Sequence, residues 1–166
     1  MPQRIQKAGS ARSAWKGAVA GLCGGLAGAW TMRQFAELWW RLGRDRSSEE
    51  DEITSNAAEI AYRKLLHRGP SPAEQHAAAT AIHYGVSSIL GMMYGAGGEY
   101  LPALGAGLGL PFATIFWYLG DEIAAPKLNL AHPETYPRSK RAKALAAHLV
   151  YGATTDVVRA WVRRLL

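Results

Sequence analysis

Residues 71–98 read SPAEQHAAATAIHYGVSSILGMMYGAGG, and this stretch decides the fold. It opens on a helix-start signal: Ser71 can cap, Pro72 suits the first helical position, and Glu74 completes a capping box. From residue 75 to residue 98 there is no Asp, Glu, Lys or Arg, a run of 24 residues. A helix that crosses a bilayer needs about 20 largely apolar residues at about 1.5 Å of rise each. The stretch therefore predicts a membrane-spanning helix over about residues 74–97, with Glu74 and His76 at headgroup depth.

Three more charge-free runs lie to either side, at residues 17–32 (16 residues), 100–120 (21) and 144–155 (12). With their amphipathic flanks they predict spans at about 15–40, 101–120 and 140–160. The short link after Gly98 makes the second and third spans an antiparallel hairpin, and Pro111 predicts a kink in the third. Between the first two spans, Ser47 or Ser48 can cap a helix over about 48–67. Its first turn carries Glu49, Glu50, Asp51 and Glu52, its apolar face Ile53, Ala57, Ile60, Ala61 and Leu65, and Gly69-Pro70 ends it. The expected fold is all-α: an integral membrane bundle of about four transmembrane helices with an amphipathic helix in the first loop. Residues 1–16 form a basic tail and residues 17–166 a single helical membrane domain.

The composition agrees with that class. The chain has 166 residues, 49% hydrophobic and 19% charged, a length that suits one domain. Its mean hydropathy of −0.09 is an average over apolar runs and charged flanks. The net charge of +6 does not form one continuous face. Arg4, Lys7, Arg12 and Lys16, then Arg138 to Lys143, then Arg159, Arg163 and Arg164 each flank an apolar run. That placement fits lipid headgroups and not nucleic acid. The single cysteine, Cys23, excludes a disulfide framework and a CxxC site. Ala27-Gly28-Ala29 offers a signal-cleavage outline, but the helical pattern continues through Arg33 and Glu37, spaced to pair. The basic start places the N-terminus in the cytoplasm, although residues 33–68 and 127–143 together hold more Lys and Arg than the two ends.

In lipid, helices associate through close backbone approach, and small residues four apart permit it. The first span offers Gly17, Gly21 and Gly25, with Gly24 and Gly28 as a second row. The second offers Gly91 and Gly95 beside Ser87 and Ser88, and the third Gly105, Gly109 and Ala113. We read Gly21, Gly25, Gly28, Gly91, Gly95, Gly105 and Gly109 as packing positions, within one chain or between copies.

Polar groups at membrane depth are where chemistry would lie. His83, Glu99, His148, Tyr151 and Asp156 form the candidate intramembrane polar site. The second and fourth spans run parallel, so His83 and His148 sit at similar depth. Each imidazole can make one interhelical hydrogen bond, pass protons, or ligate a haem or metal. No metal or cofactor is predicted, since no CxxCH or helical HExxH motif occurs. A short repeat joins the site: Tyr94-Gly95-Ala96 followed by Glu99 matches Tyr151-Gly152-Ala153 followed by Asp156, which Arg159 can pair. Asp121-Glu122 is read as an interfacial turn. Gly105-Ala106-Gly107-Leu108-Gly109, placed inside an apolar helix and not after a strand, is not a phosphate cradle. No catalytic motif is present.

With these residues located, the chain resembles the YagU-type family of small bacterial inner-membrane proteins, a family of unknown function. The likeness rests on His83, Tyr94-Gly95 and Glu99, the Gly-rich stretch 105–121, His148-Leu149-Val150-Tyr151-Gly152 and Asp156, and covers about residues 75–165. It implies an inner-membrane location and supplies no catalytic residues. Three functional expectations stand beside one another. The first is an accessory or envelope-maintenance protein working through helix packing, with the bilayer, a second copy or another membrane protein as partner. The others are a small proton- or ion-conducting protein and a bis-histidine haem or metal bundle.

Overall fold

The computed structural model describes residues 12–42 and 49–166. It consists of α1 (Ala14–Leu42), α2 (Glu49–Leu66), α3 (Pro72–Gly98), α4 (Leu110–Trp117), α5 (Ala125–Lys127) and α6 (Arg138–Leu165). A π-helical turn, Tyr118–Ala124, joins α4 to α5, and 3₁₀ turns lie at Pro102–Gly105 and Pro133–Thr135. The molecule is an all-helical bundle. The basic tail over residues 1–11 and the Ser47 or Ser48 cap of α2 lie outside the described residues.

The start of α3 follows its local sequence. The Ser71 hydroxyl accepts the Glu74 N–H at 3.4 Å and the Glu74 carboxylate accepts the Ser71 N–H at 2.8 Å, so two N–H groups that the helix leaves unpaired are satisfied. Arg68 adds a fork onto the same carboxylate, at 2.9 and 2.5 Å.

The glycine rows decide how the helices meet. A Cβ placed on Gly17 would lie 2.5 Å from the Gly95 carbonyl oxygen, and one on Gly95 would lie 2.8 Å from Gly21 Cα. Gly21 backs onto Gly91 and Gly25 onto Ser87, so α1 runs antiparallel to α3 along Gly17, Gly21 and Gly25. The second row faces elsewhere: Gly24 meets the Thr155 backbone, and a Cβ on Gly28 would come within 2.8 Å of Tyr151. α1 thus lies against two parallel helices, α3 and α6, one along each glycine row. On the far side of α6, Gly109 and Ala113 meet Gly152, and α4 runs antiparallel to it. Gly105 faces the Arg159 guanidinium instead. α2 closes one end: Ala58 is fully buried, Asn56 donates to the Leu130 carbonyl at 2.7 Å, and Glu52 accepts from Lys140 at 3.1 Å. Its expected apolar face is shifted, with Leu65 exposed.

The third expected span, 101–120, is corrected. Its first half is not α-helix: Gly107, Leu108 and Gly109 take left-handed φ values of 76°, 55° and 71°, and α4 starts only at Leu110. Two glycines make that backbone accessible. Pro111 then sits in the first turn of α4, where its missing N–H costs nothing, and the expected mid-helix kink does not arise. Beyond Trp117 the helix widens into the π turn.

Among the described residues no helix is long and apolar enough to cross a membrane. α4 has only eight residues, and α2 and α6 carry many charged side chains. The outer faces are different. Trp15, Val19, Leu26 and Trp30 of α1, Val86, Ile89, Met92 and Met93 of α3, Ile115 of α4, and Val157 and Trp161 of α6 are all exposed.

Candidate functional site

The buried polar groups lie along the seam where α3 and α6 meet α1, with α4 against α6, in successive levels. At one end Glu99, directly after α3, accepts from Arg163 Nε at 2.6 Å and Nη2 at 2.9 Å, and from the Ser13 N–H at 3.0 Å. Ser13 precedes α1, so this carboxylate sits at the positive end of that helix. The Arg163 hydrogen bonds, with the Ser13 N–H behind them, outweigh burial and pull the Glu99 carboxyl down to about 2. It is ionised throughout the physiological range.

One level further in, Asp156 Oδ1 lies 2.8 Å from the Tyr94 hydroxyl and accepts from Arg159 Nη2 at 2.8 Å and Nε at 3.3 Å. Tyr94 stacks on Phe112 with ring centroids 4.5 Å apart. Gly98 and Gly105 admit the Arg159 side chain, because a Cβ on either would sit 3.2 or 3.3 Å from its guanidinium nitrogens. Asp156, Arg159 and Arg163 follow one another at i, i+3 and i+7, so one face of α6 carries both arginines.

Deeper still, the fully buried Tyr151 donates its hydroxyl to the Ser87 carbonyl at 2.7 Å, tying α6 to α3. His83 Nε2 lies 3.1 Å from the Ala29 carbonyl of α1. Thr31 and Thr154 join α1 to α6 at 3.0 Å. Near the opposite end, His148 Nδ1 lies 2.9 Å from the Ala144 carbonyl and 3.8 Å from Asp121 Oδ2, with the Phe116 ring 5.4 Å away. Glu122 accepts a two-pronged bond from Arg141, at 2.7 and 2.5 Å.

The five expected residues are therefore a column along the bundle and not one pocket. The structure places Glu99 on Arg163, Asp156 on Tyr94 and Arg159, Tyr151 on Ser87, His83 on the α1 backbone and His148 beside Asp121. Among the described residues no group of three or more His, Cys, Asp or Glu is placed to hold a metal ion. The repeat has a common geometry. Each tyrosine is buried with its hydroxyl reaching across the seam, each glycine backs onto another helix's backbone, and each acid is fastened by an arginine of α6.

Sequence reasoning missed Arg163, although its spacing from Asp156 was a legible signal. It also missed Asp121, read as an interfacial turn and in fact buried, because nothing local announces the π turn that carries it. Comparison with protein families, curated proteins and solved structures finds no match to this chain.

Proposed function

We propose that this is a multi-pass bacterial inner-membrane protein, of the kind the YagU-type resemblance implies, that serves as an accessory or envelope-maintenance component through rigid helix packing. The observation that carries the reading is the inversion of its surfaces. Large apolar side chains are exposed on α1, α3, α4 and α6, while His83, Ser87, Asp121, His148, Thr155 and Asp156 are buried. Water rewards the opposite arrangement, and soluble monomers rarely expose contiguous apolar area beyond a few hundred Å². Hydrocarbon makes burying every polar group the favourable solution. On α1 the distance from Lys16 to Arg33 is about 25 Å at helical rise, near the roughly 30 Å of a bilayer core. What faces lipid matters here more than the mean hydropathy of any one helix. The N-terminus is cytoplasmic, and a second copy or another membrane protein can share the apolar belt.

Packing rather than conduction fits the interior. Glu99 is held ionised by Arg163, and Asp156 is fastened in place by Arg159 and Tyr94. The glycine contacts leave α1 little freedom to move between α3 and α6.

Cys23 supplies the test, since it is the one cysteine of the chain and is exposed on α1. At helical rise it lies about 10 Å from Lys16 and about 15 Å from Arg33. In sealed membranes it should resist a charged, impermeant thiol reagent from either side and react with a lipid-soluble maleimide. Modification by the charged reagent at the rate seen in denatured protein would sink the membrane assignment. Proton flux through liposomes that disappears on replacing His148 and Asp156 would move the function to conduction.

A further inference from the structure

Along the chain, basic clusters flank every apolar run, but among the described residues the fold leaves only one end of the bundle positive. Because α1 runs antiparallel to α3 and α6, its start meets the ends of those two helices. The far end is built from residues 33–42, 49–74 and 121–143, which hold ten Lys and Arg against ten Asp and Glu. Pairs such as Arg68–Glu74 and Arg141–Glu122 cancel charge there. The near end carries five described cations, Arg12, Lys16, Arg159, Arg163 and Arg164, against two acids. Those acids, Glu99 and Asp156, are already bonded to Arg163 and Arg159.

The remaining charge is gathered and not scattered. Glu99 accepts from both the Ser13 N–H and Arg163, so their chain neighbours Arg12 and Arg164, both exposed, are drawn to one place. Lys16 joins them by donating Nζ to the Leu166 carbonyl at 2.5 Å. Trp15 and Trp161, 63% and 62% exposed, flank these cations in the chain, and Val19 and Val157, one turn further in, begin the exposed apolar belt. We infer that this end of the bundle docks anionic phospholipid, with Arg12, Lys16 and Arg164 on the phosphodiester groups and Trp15 and Trp161 at headgroup depth. This docking rests on the membrane reading and adds to it the kind of lipid that is gripped. Nucleic acid would meet the cations but leave the tryptophans and the belt uncovered, whereas a lipid carries its phosphate directly above hydrocarbon. A positive end also belongs at the anionic cytoplasmic leaflet, the side already given to the N-terminus.

Tryptophan quenching tests the docking with the full chain in phosphatidylcholine vesicles that carry a small fraction of dibrominated phosphatidylglycerol or dibrominated phosphatidylcholine. A basic side chain at the surface is worth about fivefold in binding anionic lipid, so phosphatidylglycerol should be favoured around the native chain by at least about fivefold. Arg12→Gln, Lys16→Gln and Arg164→Gln together should bring the preference close to one. Lys64→Gln, Lys127→Gln and Arg138→Gln, at the far end, should leave it intact. Salt at about 0.5 M should lower the preference in the native chain, a check that needs no variant. Equal quenching by the two lipids overturns the docking and leaves the membrane reading standing, and quenching by neither overturns both. A preference unmoved by salt, one that survives the first triple variant, or one lost in the second also overturns the docking. So does its removal by millimolar inorganic phosphate at constant ionic strength, which would mark a site for the free anion.

Discussion

Gly21→Ala tests the packing of α1 in its tightest place. The new Cβ would run into the Gly91 carbonyl oxygen, with Gly91 C at 2.8 Å and Gly95 Cα at 3.0 Å. Carbon atoms rest at about 3.5–4.0 Å, so α1 and α3 must part by roughly 1 Å. The obstructing atoms are backbone and cannot rotate away. Overpacking of this kind costs about 1–3 kcal/mol, and parting the helices also loosens the Gly17 and Gly25 contacts. Against this, alanine gains up to about 1 kcal/mol over glycine in a helix. With the loosened contacts set against that gain, the net expectation is destabilisation by about 1–2 kcal/mol, or a melting temperature lower by about 2–8 °C at this chain length. Gly85→Ala is the control, since a Cβ there meets nothing within 4 Å and only the helix-propensity gain remains. Thermal unfolding in detergent, followed by tryptophan fluorescence, gives both values in one series. Gly21→Ala at or above the stability of the native chain would refute the argument that backbone contact holds α1 in place.

Glu99→Gln should flatten the acid limb of the stability profile. The Glu99 carboxyl is depressed to about 2, so its contribution is present above the ordinary carboxylate value near 4.5 and is lost as pH falls towards 2. The contribution is about 1–2 kcal/mol after solvent screening, measurable as the change in slope of unfolding free energy between pH 5 and 2.5. Asp156→Asn strands the Arg159 guanidinium and should cost about 3–5 kcal/mol, whereas Tyr94→Phe removes one hydrogen bond and should cost about 1 kcal/mol. Denaturant unfolding of the two variants separates them, and equal losses would mean that Asp156 is not the anchor of the pair. Leu108→Gly should stabilise the chain by about 1 kcal/mol, because leucine holds a φ of 55° there and glycine adopts it without strain. Gly109→Ala, at a φ of 71° and against Gly152, should destabilise by more than that gain, read in the same melts.

Signals confined to a few neighbouring residues were legible. Ser71, Pro72 and Glu74 announce the start of α3, and the glycines four apart announce close approach. The charge-free runs place α1, α3 and α6 within a few residues of where they stand. The break before α4 was not legible, because an apolar, glycine-rich stretch reads equally as helix or as left-handed turn. Contact with Gly152 and the Arg159 side chain settles it. The site was legible as a set of residue types and not as an arrangement. The sequence offered His83 and His148 as a pair, whereas the structure gives His83 to the Ala29 carbonyl and His148 to Asp121.

By itself, then, the sequence determined that the chain is helical, where most helices begin and end, and that some helices must touch backbone to backbone. Caps, propensities and periodicity act over one or two turns, and they are written locally. Tertiary structure decided which glycine row faces which helix, which arginine fastens which acid, and that a π turn carries a carboxylate inward. Those outcomes depend on residues far apart in the chain meeting at a few ångströms, and on the removal from water of polar groups that must then find one another.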